Sequence, residues 1–317
     1  MARSGSTNVA AHTAEPITGA GGRSVLSLLI TSLRPEQWTK NCLVFAGLVF
    51  GGRLLDIDAV LIATAAFAIF CALSGATYLV NDVADRDADR RHPLKRTRPV
   101  ASGMVTTTTA LLVATLLTTA ALSAAWLIAP VLAVVAAAYI ALLLLYSTVL
   151  KHVVIIDVLT IAGGFVLRAA AGAVAVNVPI GPWLLVCTTL LALFLALSKR
   201  RHELVLLGED AAEHRRILEE YSPYLLDQMI AVVTASTLMA YTVYATSPDT
   251  ALRLGTQRLS LTIPFVLYGI FRYLYLVHQR RAGGSPAAVL LTDRPLLACV
   301  GLWIGTVMVL MYSTLGD

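Results

Sequence analysis

Charged residues are scarce in this sequence. Asp, Glu, Lys and Arg together make up 14% of its 317 residues, whereas soluble globular domains usually contain about 25%. Hydrophobic residues make up 57%, and apolar stretches long enough to cross a bilayer recur along the chain. This composition excludes a disordered chain, a coiled coil and an ordinary soluble enzyme. It predicts an all-α, polytopic membrane protein.

Cysteine is also rare and is never paired in sequence. The four cysteines lie singly within or beside apolar runs, without CxxC or Cys/His spacing. We therefore expect packing residues and neither a disulfide nor a zinc site. The net charge of +5 indicates contact with anionic membrane lipids, and no nucleic-acid partner is expected.

The chain divides into a tail and one membrane domain. Residues 1–22 are rich in small and polar residues and lack the apolar core of a signal peptide, which predicts a disordered cytoplasmic tail. Residues 24–316 form the predicted transmembrane catalytic domain, which begins with an interfacial segment at 24–33. Nine spans are predicted, at about residues 38–52, 59–81, 106–126, 130–147, 153–176, 183–198, 225–246, 260–279 and 296–315.

The distribution of basic residues predicts the orientation. With the N-terminus inside, nineteen Lys and Arg residues fall on the inner side and three on the outer side. This bias predicts a multi-pass protein of the inner (plasma) membrane, with a cytoplasmic N-terminus and an external C-terminus. The long loops 82–105 and 199–224 lie on the inner side and carry many ionisable groups. We therefore expect the active site to face the cytoplasm.

A cluster of acids ends the second span. On a continuous helix with ~100° per residue, Asp82, Asp85 and Asp89 lie within ~60° of one another, with Asn81 at the edge of the arc. Such carboxylates repel each other unless a cation lies between them, and oxygen ligands without His or Cys suit Mg²⁺, with Mn²⁺ as an alternative. The four residues are the predicted metal ligands, and the three aspartates the predicted catalytic residues. The alternative is a solvated helix end whose acids pair with neighbouring arginines.

Basic residues follow the acids. Lys95 and Arg98 are suited to share diphosphate oxygens with a bound metal. The alternative is that these charges only anchor the loop on the inner side of the membrane.

Several motifs resemble those of the UbiA superfamily of intramembrane prenyltransferases. The pattern NDxxDxxxD at 81–89, followed by RPxxSG at 98–103, resembles the first signature of that superfamily. RPxxWxxN at 34–41 and YSxxxK at 146–151 are similar to two further elements. The resemblance covers residues 24–315 and implies a nine-helix bundle. It also implies substrate-binding roles for Lys40, Asn41, Tyr146 and Lys151.

The loop after the sixth span departs from the superfamily pattern. Most members have a second aspartate-rich motif there, whereas residues 198–204 read SKRRHEL. This loop, with WTKN at 38–41 and the segment 157–168, resembles the decaprenyl-phosphate phosphoribosyltransferase branch. The resemblance implies Mg²⁺-dependent transfer of 5-phosphoribose from phosphoribosyl diphosphate (PRPP) to decaprenyl or another polyprenyl phosphate, with release of diphosphate, in the synthesis of arabinogalactan precursors for the cell wall.

The basic loop suits such substrates. PRPP carries a phosphate and a diphosphate, and the acceptor carries one more phosphate. Lys199, Arg200 and Arg201 would neutralise these groups. The alternative is that the triplet only anchors the topology.

Two charged residues lie within the fifth predicted span. Asp157 and Arg168 are eleven residues apart and only ~20° apart around a helix. We expect Asp157 near the cytoplasmic mouth, beside a ribose hydroxyl or a basic loop residue. For Arg168, a packing contact and a substrate role both remain open.

Two other functions and the oligomeric state remain open. An ordinary member of the superfamily would transfer a prenyl group from a prenyl diphosphate to an aromatic or other small acceptor. A transporter with buried acids is less consistent with the sequence, because we find no repeated halves. A homo-oligomer, for example a trimer, is compatible with the sequence.

Overall fold

The computed structural model describes residues 24–93, 95–207, 216–280 and 286–312. Within these ranges the chain forms helices and no strand, which confirms the all-α prediction; the predicted tail at 1–22 lies outside them. The α-helices are α1 (Val25–Ser32), α2 (Phe45–Phe50), α3 (Ile57–Ala84), α4 (Arg86–Arg91), α5 (Thr107–Ile128), α6 (Pro130–Thr148), α7 (Ile156–Ala175), α8 (Pro182–Leu207), α9 (Pro223–Thr246), α10 (Pro248–Leu254), α11 (Ile263–Gln279), α12 (Pro286–Thr292) and α13 (Arg294–Tyr312). The 3₁₀ helices are Pro35–Val44, Leu150–His152, Arg216–Glu220 and Leu259–Thr262.

Eight helices in the described ranges are long and apolar enough to cross a membrane. They correspond to the last eight predicted spans and are α3, α5, α6, α7, α8, α9, α11 together with the 3₁₀ helix Leu259–Thr262 that precedes it, and α13. The main difference in boundaries is at α8, which continues to Leu207, beyond the predicted end of the sixth span at 198. Ion pairs within the helix, from Lys199 and Arg200 to Glu203, stabilise the extra turns.

The first predicted span has a different conformation. Residues 38–52 fall on the 3₁₀ helix Pro35–Val44 and the six-residue α2. A 3₁₀ helix rises ~2 Å per residue and an α-helix ~1.5 Å, so these two elements extend over ~29 Å, close to the ~30 Å of a bilayer core. They do not form one long α-helix, and a ninth crossing stays a prediction.

Helices α3 and α7 form the centre of the bundle. In their most apolar windows, 56% and 61% of the residues are buried, against 17% in both α5 and α6. The N-terminal helices approach α7 closely, since a Cβ atom added to Gly172 would lie 1.8 Å from the carbonyl oxygen of Val44. This approach brings the 3₁₀ helix against α7.

The predicted interfacial segment forms α1. The side chain of Ser24 caps the helix by accepting a hydrogen bond from the Ser27 amide at 3.2 Å. Leu28 is buried with residues of α3, while Val25 and Leu26 are exposed. The helix leads directly into the turn at Arg34.

An ion pair connects α11 to the start of α13. Arg272 binds Asp293 with both ends of its guanidinium, Nε to Oδ1 at 3.1 Å and Nη2 to Oδ2 at 2.8 Å. Asp293 also accepts the Leu296 amide at 2.9 Å, which caps α13.

Candidate functional site

Two buried carboxylates and two arginines meet where α3 ends. Asp82 and Asp89 are each 3% exposed. Arg98 Nη1 lies 2.6 Å from Asp89 Oδ2 and 3.4 Å from Asp82 Oδ1. Arg34 Nη2 lies 2.5 Å from the same Asp82 oxygen. The acids are therefore paired with arginines, although not with the neighbouring arginines at 86–91 that the sequence alternative invoked.

The predicted face of three carboxylates is not assembled in the described residues. No group of three or more His, Cys, Asp or Glu residues there lies close enough to hold a metal. The prediction assumed a continuous helix, but α3 ends at Ala84, Asp85 adopts a non-helical ψ of 5°, and α4 begins at Arg86. Asp89 is buried and shares Arg98 with Asp82, while Asp85 is exposed.

The donor atoms nevertheless suit Mg²⁺. Asp82 and Asp89 supply buried carboxylate oxygens, and Asn81 and Asp85 supply further oxygens on the adjoining turn. Arg34 and Arg98 contact one oxygen of each buried carboxylate, Oδ1 of Asp82 and Oδ2 of Asp89, so a bound metal would share these acids with the arginines.

A cavity of about 370 Å³ opens beside Asp82. It is lined by hydroxyl, amide, carboxylate and guanidinium groups, from Thr31, Ser32, Arg34, Glu36, Gln37, Asp82, Thr97, Arg98 and Pro99.

The sequence predicted Asp82 and Arg98 as site residues but not Arg34. The sequence feature that could have identified Arg34 as a site residue is its position at the start of the RPxxWxxN motif. In the structure its left-handed φ of 53° begins the turn into the 3₁₀ helix, and its guanidinium lies 4.6 Å from the centre of the Tyr78 ring.

Lys40 lies among other cations. Burial lowers the pKa of its ammonium group, and the charges of Lys199, Arg168 and Arg34 lower it further. Lys199 is itself 3.8 Å from Glu203 and is 42% exposed. This group of cations favours an anion between Lys40 and Lys199.

Asn41 makes its side-chain contacts within the protein, and its substrate-binding role stays a prediction. Its side chain is buried, donates to Cys71 Sγ and Ser74 Oγ, both at 3.3 Å, and accepts from Arg168 Nε at 2.7 Å. All its polar atoms are thus used in packing. Arg168 also donates to the Tyr139 hydroxyl at 2.5 Å, so the packing alternative for Arg168 is the one found.

Arg200 likewise contacts acids of the protein, and its role in binding a substrate phosphate stays a prediction. Its side chain is 2% exposed, and Nε lies 3.2 Å from Oδ2 of Asp157, which is fully buried. It also binds Glu203. Asp157 therefore contacts a basic residue, which is one of the two contacts predicted for it. In the structure Arg200 neutralises this buried acid.

Tyr221 completes this buried group and was not predicted from the sequence. Its hydroxyl donates to Asp157 Oδ1 at 2.9 Å. Burial raises the pKa of Tyr221 to about 12, so the hydroxyl remains a donor at neutral pH. Only the tertiary structure reveals this contact, which joins positions 64 residues apart.

Arg201 also differs from its predicted role, because it binds Asp227 of α9. His278 of α11 approaches the same carboxylate, with Nε2 at 3.3 Å from Oδ1. Arg200 and Arg201 thus pair with carboxylates of α7 and α9, while Lys199 lies 3.8 Å from Glu203 of its own helix.

Three further candidates lie apart from the Asp82 cavity. Tyr146 is half-buried in the last turn of α6, Lys151 is half-buried in the 3₁₀ helix Leu150–His152, and Lys95 is exposed. None of them lines that cavity. Their substrate-binding roles stay predictions.

Comparisons with known proteins show clear similarity. The sequence profile of the UbiA prenyltransferase family matches residues 42–297. The decaprenyl-phosphate phosphoribosyltransferase of Mycolicibacterium smegmatis is 35% identical, over 94% of this chain and 96% of that protein. The protein of the same name from Corynebacterium glutamicum is 32% identical, over 90% and 86%. Among solved structures, a UbiA homolog from Archaeoglobus fulgidus bound to DMAPP and Mg²⁺ has a TM-score of 0.68 at 17% identity, covering 90% of this chain and 99% of that one.

Proposed function

The chain belongs to the UbiA prenyltransferase family, and we propose that it transfers 5-phosphoribose from PRPP to decaprenyl or another polyprenyl phosphate. The names of the relatives that match most of its length support this choice. We place the reaction at the cytoplasmic face of the plasma membrane, because the basic residues collect at the helix ends around Asp82. The product would be a precursor for arabinogalactan in the cell wall.

The observation that carries the proposal is the group of cations around Lys40. This half-buried lysine lies in the positive field of Lys199, Arg168 and Arg34. A prenyl diphosphate has one charged head, which the acid-and-arginine group at Asp82 would hold. PRPP brings a separate 5-phosphate, and the acceptor brings another phosphate. Additional cations outside the Asp82 group therefore favour substrates with several phosphates.

The acids would hold the metal. In our proposal Asn81, Asp82, Asp85 and Asp89 bind Mg²⁺ or, alternatively, Mn²⁺, which would neutralise charge on the leaving diphosphate. Arg34 and Arg98 would then turn from the carboxylates to phosphate oxygens, for which a guanidinium has matching geometry. A homolog of the same fold is known with Mg²⁺ and a diphosphate bound.

The remaining chemistry needs positioning and charge. Lys40, Lys199, Lys95 and Lys151 would bind phosphate groups, and Tyr146 would orient one of them. Arg34 and Arg98 would stabilise the departing diphosphate as the anomeric carbon acquires oxocarbenium character. An oxygen of the acceptor phosphate forms the new bond to this carbon as the bond to diphosphate breaks. The acceptor is already anionic at pH 7, so no general base is needed, and attack from the opposite face inverts the carbon.

Radiolabelled donor tests this function. Membranes containing the protein are supplied with PRPP labelled in its 5-phosphate, with and without polyprenyl phosphate, and the lipid extract is counted. We expect lipid-bound label only when both substrates are present. Absence of label in the lipid, together with turnover of a prenyl diphosphate, would refute the proposal and identify an ordinary prenyltransferase.

A further inference from the structure

A strained turn follows Lys151. Ile155 has φ 69° and ψ −43°, and the Ile156 amide donates to the Val154 carbonyl at 2.8 Å. This is the rarer and more strained form of the γ-turn. A β-branched residue strongly disfavours positive φ and adopts it only where the surroundings enforce it.

One hydroxyl group holds the turn in place. Tyr221 accepts the Ile155 amide at 2.8 Å and donates to Asp157 Oδ1 at 2.9 Å. Tyr221 is 4% exposed and Asp157 is fully buried, so water does not replace either bond. Arg200 Nε lies 3.2 Å from the other oxygen of Asp157 and neutralises its charge. The hydroxyl thus connects the strained backbone to the first turn of α7 and, through Asp157, to α8.

The turn also fixes the element that carries Lys151. The 3₁₀ helix Leu150–His152 is separated from Ile155 by only two residues, and its end is closed by a bond from the Val153 amide to the Leu150 carbonyl at 3.2 Å. Lys151 is half-buried, and none of the ion pairs in the described part of the chain involves it. Its ammonium group is therefore available, and the backbone beneath it is set by the turn.

We propose that Tyr221 is a positioning residue for Lys151, holding the Ile155 turn so that this lysine is presented to a substrate phosphate. The inference rests on the proposed function, in which Lys151 binds phosphate. Tyr221 itself touches no substrate. Its hydroxyl fixes the conformation of residues 150–157, which lowers the cost of ordering Lys151 when the phosphate arrives.

A double-mutant cycle tests this coupling. The variants Tyr221→Phe, Lys151→Ala and their combination are assayed with labelled PRPP. We expect Tyr221→Phe to raise the KM for PRPP about tenfold with a change in kcat below about threefold, since the lost interaction concerns binding. The combined variant should be no worse than Lys151→Ala, because residues acting through one contact are not additive. Additive effects would overturn the proposal.

Two further measurements separate positioning from general damage. Tyr224→Phe removes an exposed hydroxyl three residues away and should leave KM unchanged. Amide exchange at 149–156 should be faster in Tyr221→Phe than in wild type, and unchanged exchange there would overturn the proposal. If Tyr221→Phe folds poorly, it is compared with its parent in an Ile155→Gly background, because glycine adopts positive φ without strain. With the strain removed, Tyr221→Phe should leave the KM for PRPP unchanged there, and a tenfold rise in KM in that background would overturn the proposal.

The design distinguishes this inference from the proposed function. If the wild-type protein transfers no label from PRPP, the proposed function fails. If it does transfer label and the two substitutions are additive, the role of Tyr221 fails while the function stands.

Discussion

Arg168 Nε donates a hydrogen bond of 2.7 Å to Asn41 Oδ1, across 127 positions of the sequence. Both residues are buried in the bundle. A guanidinium in an apolar interior is stable only when its N–H groups have partners. Asn41, the Tyr139 hydroxyl and the Gly164 carbonyl supply them. The pair therefore fixes the 3₁₀ helix on α7.

We predict that Asn41→Leu mainly affects stability. The substitution leaves Arg168 short of one acceptor, at a cost of about 3 kcal/mol. Thermal unfolding in detergent should show a clear fall in the transition temperature, with little change in KM for PRPP. Arg91→Gln, at an exposed arginine, is the control and should unfold like wild type. A normal unfolding temperature with a tenfold higher KM would instead indicate that Asn41 binds substrate.

Gly172 should tolerate no side chain. A Cβ atom there would lie 1.8 Å from the Val44 carbonyl oxygen, so Gly172→Ala must push the 3₁₀ helix away from α7. We expect a loss of more than about 3 kcal/mol or failure to accumulate in membranes. Gly305→Ala in α13 meets no atom within 4 Å and should be neutral or slightly stabilising. Equal stability of the two variants would contradict the close packing described for Gly172.

Substitutions of the acidic residues at the end of α3 should lower turnover at some positions and not at others. Asp82→Asn and Asp85→Asn should each lower turnover at least about 100-fold, because both would remove charge from the metal and leaving-group environment. Asp87, in the same segment, is exposed and lies 4.0 Å from Arg90, and Asp87→Asn should retain near-normal turnover. Turnover is measured at saturating Mg²⁺, after protein levels in the membrane have been matched. Wild-type turnover in Asp82→Asn would remove this residue from the metal site.

Asp293 should contribute stability that depends on pH. Its hydrogen bonds with Arg272 hold the pKa of its carboxyl below the ordinary value of 3.8. A group with a lowered folded-state pKa stabilises the fold above its unfolded pKa, and this stabilisation is lost as the pH falls through the folded value. Asp293→Asn should therefore unfold at a lower temperature than wild type at pH 7. The difference should shrink below about pH 3.8; a difference independent of pH would contradict the ion-pair origin.

The spans were predictable because each needs only a long apolar stretch. The bilayer core requires about 20 such residues per helix, and eight of the predicted segments are helices of that kind. The first segment was harder, since a 3₁₀ conformation at Pro35–Val44 leaves no separate periodic signal in a short sequence window. The break at Asp85 was missed for a related reason, because one continuous helix through residues 81–89 does not account for the non-helical ψ of Asp85.

The site residues were predicted unevenly. Asp82 and Arg98 were identified from acid spacing and a following basic segment, and the structure brings them together. Charge alone gave no way to distinguish Lys199, which remains partly exposed, from Arg200, which is buried against Asp157. That difference depends on which face of the extended α8 meets α7.

The distance in sequence between Asn41 and Arg168 has a consequence for synthesis. The N-terminal segments leave the ribosome 127 residues before the guanidinium that they bind. Until α7 enters the bilayer, Asn41 lacks this partner and the centre of the bundle cannot close. Nascent chains that stop short of α7 therefore hold a buried amide without its guanidinium, and closure of the bundle centre waits for the insertion of this one helix.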